Sequence, residues 1–183
     1  MAARKPRPSA PGTTTSDDVA AMIRVDHAGE YGAVRIYEGQ LAVLGNKPAG
    51  ETIRRMAAEE QRHLETFDRL IVERRVRPTA LEPVWRVAGF ALGAATAMMG
   101  EKAAMACTAA VEEVIDEHYA GQIAELGDGD KELKSTVADF RADEIAHRDE
   151  ALAQGAEQAP GYRLLSETIK AGCRLAIALS TRI

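Results

Sequence analysis

The chain has 183 residues, 46% of them hydrophobic, 28% charged and only 4% aromatic, which suits one packed domain and argues against a disordered or fibrous polymer. A formal net charge of -5 gives no support to a nucleic-acid role, because binding phosphates needs a concentrated basic surface. Fifteen Gly and seven Pro are few for a β-sandwich, whereas Ala, Leu, Glu and Arg dominate, so the expected class is all-α. The only cysteines, Cys107 and Cys173, are too far apart for a metal-binding or redox pair, and read as small core residues of a reducing compartment.

The first stretch, residues 1–16, is basic and carries Pro6, Pro8 and Pro11 without an apolar run, so it reads as a disordered tail. Those prolines interrupt any presequence helix, and the expectation is a bacterial, cytosolic chain. Ser16 and Asp17 can cap a first helix over 17–44, with Ile23, Val34, Leu41 and Leu44 at helical intervals. A Gly-Asn-Lys-Pro turn at 45–48 stops it. A second helix over 51–75 places Ile53, Met56, Leu64, Phe67 and Leu70 on one side and ends before Pro78. The uncharged run 87–100 is too short to span a bilayer and is either a buried helix or an interfacial segment; Trp85 and Phe90 beside it are expected to pack. Helices over 101–126 and 131–154, joined by a Gly-Asp-Gly-Asp loop, form a second hairpin. Residues 162–183 read as an amphipathic closing helix, with Leu164, Leu165, Ile169, Leu175 and Leu179 among Lys170, Arg174 and Arg182.

Of the four histidines, two end a Glu-x-x-His motif: Glu60 with His63, and Glu144 with His147. Residues three apart share a helix face, so a carboxylate and an imidazole there can reach one metal ion. Glu30 precedes Glu60 by 30 residues on the first hairpin, and Glu112 precedes Glu144 by 32 on the second, so the whole pattern occurs twice. One Glu from each of two helices and a Glu-x-x-His from each of two others is the ligand set of ferritin-like four-helix bundles that hold a pair of iron or manganese ions. Four carboxylates converging in a bundle would repel and resist desolvation unless two cations balanced them. Oxygen-rich ligation with two imidazoles suits iron or manganese, and the lack of thiolates argues against structural zinc.

Glu112 has a rival in Glu113, and spacing decides. Ile115, Tyr119, Ile123 and Leu126 continue the face of Glu112, whereas Asp116, Glu117 and Ala120 continue that of Glu113. Glu59 and Asp143, each four residues before a histidine, either orient a metal-bound imidazole or are exposed helix acids, and Asp143 is the better candidate. Asp26 stands in the same relation to Glu30. Tyr119, two turns from Glu112, and its neighbour His118 are near-site candidates, with core tyrosine and hydrogen-bonded histidine as the competing readings; the latter also serves for His27.

Five segments resemble the demethoxyubiquinone hydroxylase family: Arg24-Val-Asp-His-Ala-Gly-Glu-Tyr-Gly-Ala33, Gly89-Phe-Ala-Leu-Gly-Ala94, Met105-Ala-Cys-Thr with Val111-Glu-Glu, Asp143-Glu-x-x-His147, and Ala171-Gly-Cys-Arg-Leu-Ala-Ile177. The resemblance runs from about Met22 to the C-terminus and places the family's metal ligands on Glu30, Glu60, His63, Glu112, Glu144 and His147. It implies a di-iron monooxygenase of ubiquinone biosynthesis, with two iron ions per chain and electrons from NADH, hydroxylating a polyprenyl methoxy-methyl-benzoquinone. It further implies a peripheral protein of the cytoplasmic face of a bacterial inner membrane, working beside other ubiquinone-biosynthesis proteins and able to form homo-oligomers. The run 87–100 would then dip into the bilayer to guide the isoprenoid tail. The rivals for the ligand pattern alone are a ferritin-like iron store and a peroxide-scavenging di-iron protein.

Overall fold

The computed structural model describes residues 15–183. Within them the chain forms α1 (Ser16–Leu44), α2 (Gly50–Glu73), α3 (Glu82–Met98), α4 (Glu101–Leu126), α5 (Lys131–Ala153) and α6 (Tyr162–Ser180), with one 3-10 turn at Ala156–Gln158 and, among the described residues, no strand. The expected tail, residues 1–16, lies outside the described residues except for Thr15 and Ser16. Thr15, rather than Ser16 or Asp17, caps α1. Its Oγ1 accepts from the Asp18 amide at 3.2 Å while Asp18 Oδ2 accepts from the Thr15 amide at 3.0 Å. Three successive residues could have capped; the acid three positions after Thr15 decides, because only that pairing satisfies two amides at once. At its other end α2 stops two residues short of the expected boundary, where Arg75 takes a left-handed φ of 54°.

Helices α1 and α2 form one hairpin and α4 and α5 the other, and the four make an all-α, ferritin-like bundle. Two apolar clusters fill it. One gathers Ile23, Phe67, Ile115 and Phe140, the other Tyr37, Met56, Ala109 and Ala151. Each bundle helix contributes to both clusters, and on α2 and α5 the Glu-x-x-His positions fall between the two contributions. The polar centre is thus sealed above and below by hydrocarbon, which is the setting in which buried charge needs a partner.

Helices α3 and α6 stand outside the four. α3 lies on α1 so closely that glycine is required at the crossing: a Cβ on Gly93 would sit 1.9 Å from the Ile36 carbonyl oxygen, and one on Gly39 2.2 Å from that of Phe90. The apolar run is therefore not a core helix. Only Gly89, Gly93, Thr96 and Ala97 of α3 are buried. Phe90, expected to pack, is 43% exposed, because Gly89 and Gly93 occupy the face that meets α1 and turn Phe90 outward. α6 packs on α4 through Ile169, as the amphipathic reading requires, yet Leu164 and Leu175 remain 77% and 60% exposed.

Candidate metal centre

Four helices deliver six buried ligand-type side chains to one space: Glu30 from α1, Glu60 and His63 from α2, Glu112 from α4, and Glu144 and His147 from α5. They fall into two groups, Glu30, Glu60, His63 and Glu144, and Glu60, Glu112, Glu144 and His147, with the ligand atoms of each within 4.8 Å of one another. Glu60 and Glu144 belong to both groups and so could serve either of two ions. Glu113, the rival of Glu112, points away and pairs with Lys170 Nζ at 2.7 Å.

The polar atoms at this centre test whether metal ions fit. Both oxygens of Glu60 and of Glu144, one each of Glu30 and Glu112, and Nδ1 of His63 and of His147 are buried without a hydrogen-bond partner. Buried polar atoms are otherwise nearly always paired. Eight such atoms whose nearest polar neighbours are one another, as His147 Nδ1 is to Glu60 Oε1 at 3.0 Å and His63 Nδ1 to Glu144 Oε1 at 3.2 Å, are what two cations would satisfy. In the chain alone, burial and then the charge of Glu144 push Glu60 and Glu112 well above the ordinary carboxylate range. Burial opposes charge on the imidazoles, but Glu144 and Glu30 around His63, and Glu144 and Glu60 around His147, outweigh it and carry the rings up to about 11 and about 12. Protons thus occupy the place that metal ions would take, and metal uptake would displace them.

The outward nitrogens of both imidazoles are held by acids, and the pairing crosses between hairpins. His63 Nε2 donates to Asp143 Oδ2 at 3.1 Å, and His147 Nε2 to Glu59 Oε2 at 2.5 Å. Because a carboxylate only accepts, Nε2 carries a hydrogen, and Nδ1, once it sheds the proton it holds in the chain alone, can offer its lone pair to a metal. By sequence Asp143 is the better candidate and each acid stands beside its own helix's histidine; in the fold both acids hold an imidazole, and each serves the histidine of the other helix. We expect Asp143→Asn and Glu59→Gln each to weaken metal retention about 10- to 100-fold in a chelator competition, and by similar amounts.

Helices α1 and α4 run antiparallel, and polar pairs join them. Tyr119 Oη donates to Glu30 Oε1, and Tyr37 Oη donates to Glu112 Oε1 at 2.7 Å. Beyond these, Gln122 Nε2 donates to Asp26 Oδ1 at 2.7 Å and Gln40 Nε2 to Thr108 Oγ1 at 3.2 Å. Tyr37 and the two glutamines escaped the sequence reading, although a signal was present: Tyr and Gln follow Glu30 and Glu112 at the same distances, seven and ten residues. His118 does not reach a ligand; it contacts Asp26 at 3.1 Å, and His27 contacts Asp68 at 2.9 Å, as structural histidines do. Asp26 accordingly orients no metal-facing imidazole.

Beside this centre, among α1, α3, α4 and α6, lies a slot of about 410 Å³. Its walls include Ala33, Ile36, Val111, Ile115, Cys173 and Ile177. Gly29 and Val111, which line the slot, adjoin Glu30 and Glu112 in sequence on the two helices the slot shares with the ligand cluster, and the six ligand side chains themselves are not in its walls.

A four-helix bundle that aims two single glutamates and two Glu-x-x-His pairs at one buried point defines the ferritin-like class of dinuclear carboxylate proteins. Within that class the chain belongs to the family described as ubiquinone biosynthesis protein COQ7, whose model matches residues 17–180. It is similar to the 3-demethoxyubiquinol 3-hydroxylase of Rhodospirillum rubrum, at 58% identity over 88% of this chain and 77% of the relative. It is also similar to the human NADPH-dependent 3-demethoxyubiquinone 3-hydroxylase, mitochondrial, at 52% identity over 90% and 78%. The 5-demethoxyubiquinone hydroxylase, mitochondrial, of Saccharomyces cerevisiae is 41% identical over 88% and 77%.

Proposed function

We propose that the chain is a di-iron monooxygenase that hydroxylates the ring of a polyprenyl methoxy-methyl-benzoquinone, a demethoxyubiquinone, in ubiquinone biosynthesis. One oxygen atom of O2 replaces a ring hydrogen as hydroxyl, and two electrons and two protons reduce the other atom to water. Glu30, Glu60, His63, Glu112, Glu144 and His147 would hold two iron ions, which supply the oxygen-activating chemistry. The chain's residues position those ions, exclude water through the two apolar clusters, and present the ring from the neighbouring slot. The observation that carries the reading is the set of eight unpartnered ligand atoms beside an apolar slot. A slot of this size falls in the range of small-molecule sites and suits a quinone ring. An iron store needs no such slot, and membership of the family favours the hydroxylase over storage or peroxide scavenging.

Iron-loaded protein given a short-tailed demethoxyquinone, a reductant and isotopically labelled O2 should yield quinone one labelled oxygen heavier by mass spectrometry. Unlabelled or absent product with iron confirmed would refute the reading. We assign the electrons to NADH; several relatives are named NADPH-dependent, so the two nucleotides should be assayed side by side.

The isoprenoid tail does not fit within the slot and has to leave it. Val84, Val87 and Phe90 on α3 and Leu164 and Leu175 on α6 expose apolar surface beside it. Among the described residues no helix is long and apolar enough to cross a membrane, and we assign this surface to peripheral contact with the bilayer, on the cytoplasmic face of a bacterial inner membrane. Val87→Asp with Phe90→Asp should abolish co-flotation with liposomes while circular dichroism stays helical. Unchanged flotation would refute the contact.

A further inference from the structure

The two outer walls of the slot are anchored separately. α3 is keyed to α1 through Gly89 and Gly93, whereas α6 is tied to α4 by Lys170 to Glu113 at 2.7 Å and Arg174 to Glu117 at 3.0 Å. Among the described residues no Cα of α3 comes within 8 Å of a Cα of α6. One hydrogen bond spans the gap: Trp85 Nε1 donates to Ser180 Oγ at 3.0 Å. Both residues line the slot, Trp85 in the first turn of α3 and Ser180 as the buried last residue of α6. The same end is tied to α1, since Arg24 Nη1 donates to the Thr181 carbonyl at 3.3 Å.

We propose that the Trp85–Ser180 bond is a crossbar that closes this end of the slot and thereby fixes the orientation of the quinone ring. The proposal rests on the reading of the slot as the quinone site. An almost wholly apolar slot offers a flat ring few polar contacts by which to tell one edge from another, so the isoprenoid chain is the handle that orients it. A chain leaving at the barred end would have to break the bond and leave the indole N–H and the hydroxyl without partners in hydrocarbon. A chain leaving between α3 and α6 away from that end meets, among the described residues, no other hydrogen bond between the two helices and passes the exposed apolar side chains of Val87, Phe90 and Leu175. The crossbar leaves one of the two directions open. Trp85 and Ser180 are positioning residues that determine which ring carbon faces the metal-binding carboxylates.

Non-productive binding gives the test a distinctive signature. Ser180→Ala removes the acceptor and opens a second orientation. For a prenylated demethoxyquinone kcat and KM should then fall together, each at least about twofold, the factor for two equally populated orientations, with kcat/KM nearly unchanged. A ring analogue without a tail has no handle and should show no such paired fall. Trp85→Phe should behave as Ser180→Ala does, and the double variant no more strongly than either alone. Trp85 is the sole tryptophan, so quenching of its fluorescence by the quinone reads occupancy in metal-free protein, and the dissociation constant of the prenylated quinone should fall in Ser180→Ala by the factor seen in KM. A rise in KM, an equal response to both quinones, or additive effects in the double variant would overturn the crossbar. If neither quinone quenches Trp85 in the wild type, the slot assignment fails and the crossbar with it. Normal wild-type quenching and turnover with an unaltered Ser180→Ala removes the crossbar alone.

Discussion

Glu144→Ala is expected to leave the chain unable to retain either metal ion and to lower hydroxylation by more than about 100-fold. That is a larger loss than removing an acid that only supports a ligand. The reason is position: Glu144 and Glu60 belong to both ligand groups, whereas Glu30 and Glu112 each belong to one. Glu60→Ala should therefore match Glu144→Ala, and Glu112→Ala should retain metal at the group built on Glu30 and His63 while losing activity. Stability separates the cases without any assay of turnover. An ion that binds the folded chain alone stabilises it by about 2.7 kcal/mol at a hundredfold excess over its dissociation constant. The wild type should gain that at two positions, Glu112→Ala at one, and Glu144→Ala at neither, as read from thermal unfolding with and without added Fe(II) under anaerobic conditions. Full activity in Glu112→Ala would refute the ligand assignment.

The second large effect falls outside the centre. Gly93→Ala would place a Cβ 1.9 Å from the Ile36 carbonyl oxygen, well inside contact distance, with backbone rather than a yielding side chain in the way. Helix α3 has to lift from α1, and overpacking of this kind costs about 1–3 kcal/mol. In a chain of this size each kcal/mol lowers the melting temperature by about 2–4 °C. Because α1 and α3 both wall the slot, prenylated-quinone binding should weaken in the same variant. Gly121→Ala is the control: it lies within α4, nothing beyond its own helix backbone comes within 4 Å of its added Cβ, and it should stabilise by about 0.5–1 kcal/mol through helix propensity. Calorimetry showing equal melting temperatures for the two variants would contradict the close packing.

Much of this was legible in the chain itself, for identifiable reasons. The helix boundaries follow from caps and breakers that act locally, and the six candidate ligands follow from spacing, because three residues on a helix always share a face. The residues one and two turns on show which face is buried, and that separates Glu112, which is buried, from Glu113, which pairs with Lys170. What was hidden depends on how helices meet. Glu59 and Asp143 lie beside His63 and His147 in sequence, yet each bonds to the histidine of the opposite hairpin, which only the docking of α2 against α5 reveals. The exposure of Phe90 was illegible for a similar reason. An apolar run of that length does not say which side faces protein, and here the glycines, not the aromatic, mark the packed face. Tyr37 was within reach: following the internal repeat seven residues past each glutamate finds it together with Tyr119.

The crossing of those histidine–carboxylate pairs also governs how the protein can be built. Tyr37 reaches Glu112 across 75 residues, His63 reaches Asp143 across 80, and His147 reaches Glu59 across 88. Contacts so distant along the chain carry a large loop-closure cost, and they are expected to form after the local contacts within each hairpin. A lone hairpin holds half of the six candidate ligands and not the acid that steadies its own histidine, so it would be a poor metal trap. On that reasoning metal capture should come last in assembly, and a chain holding only the first hairpin should retain no metal in a chelator competition.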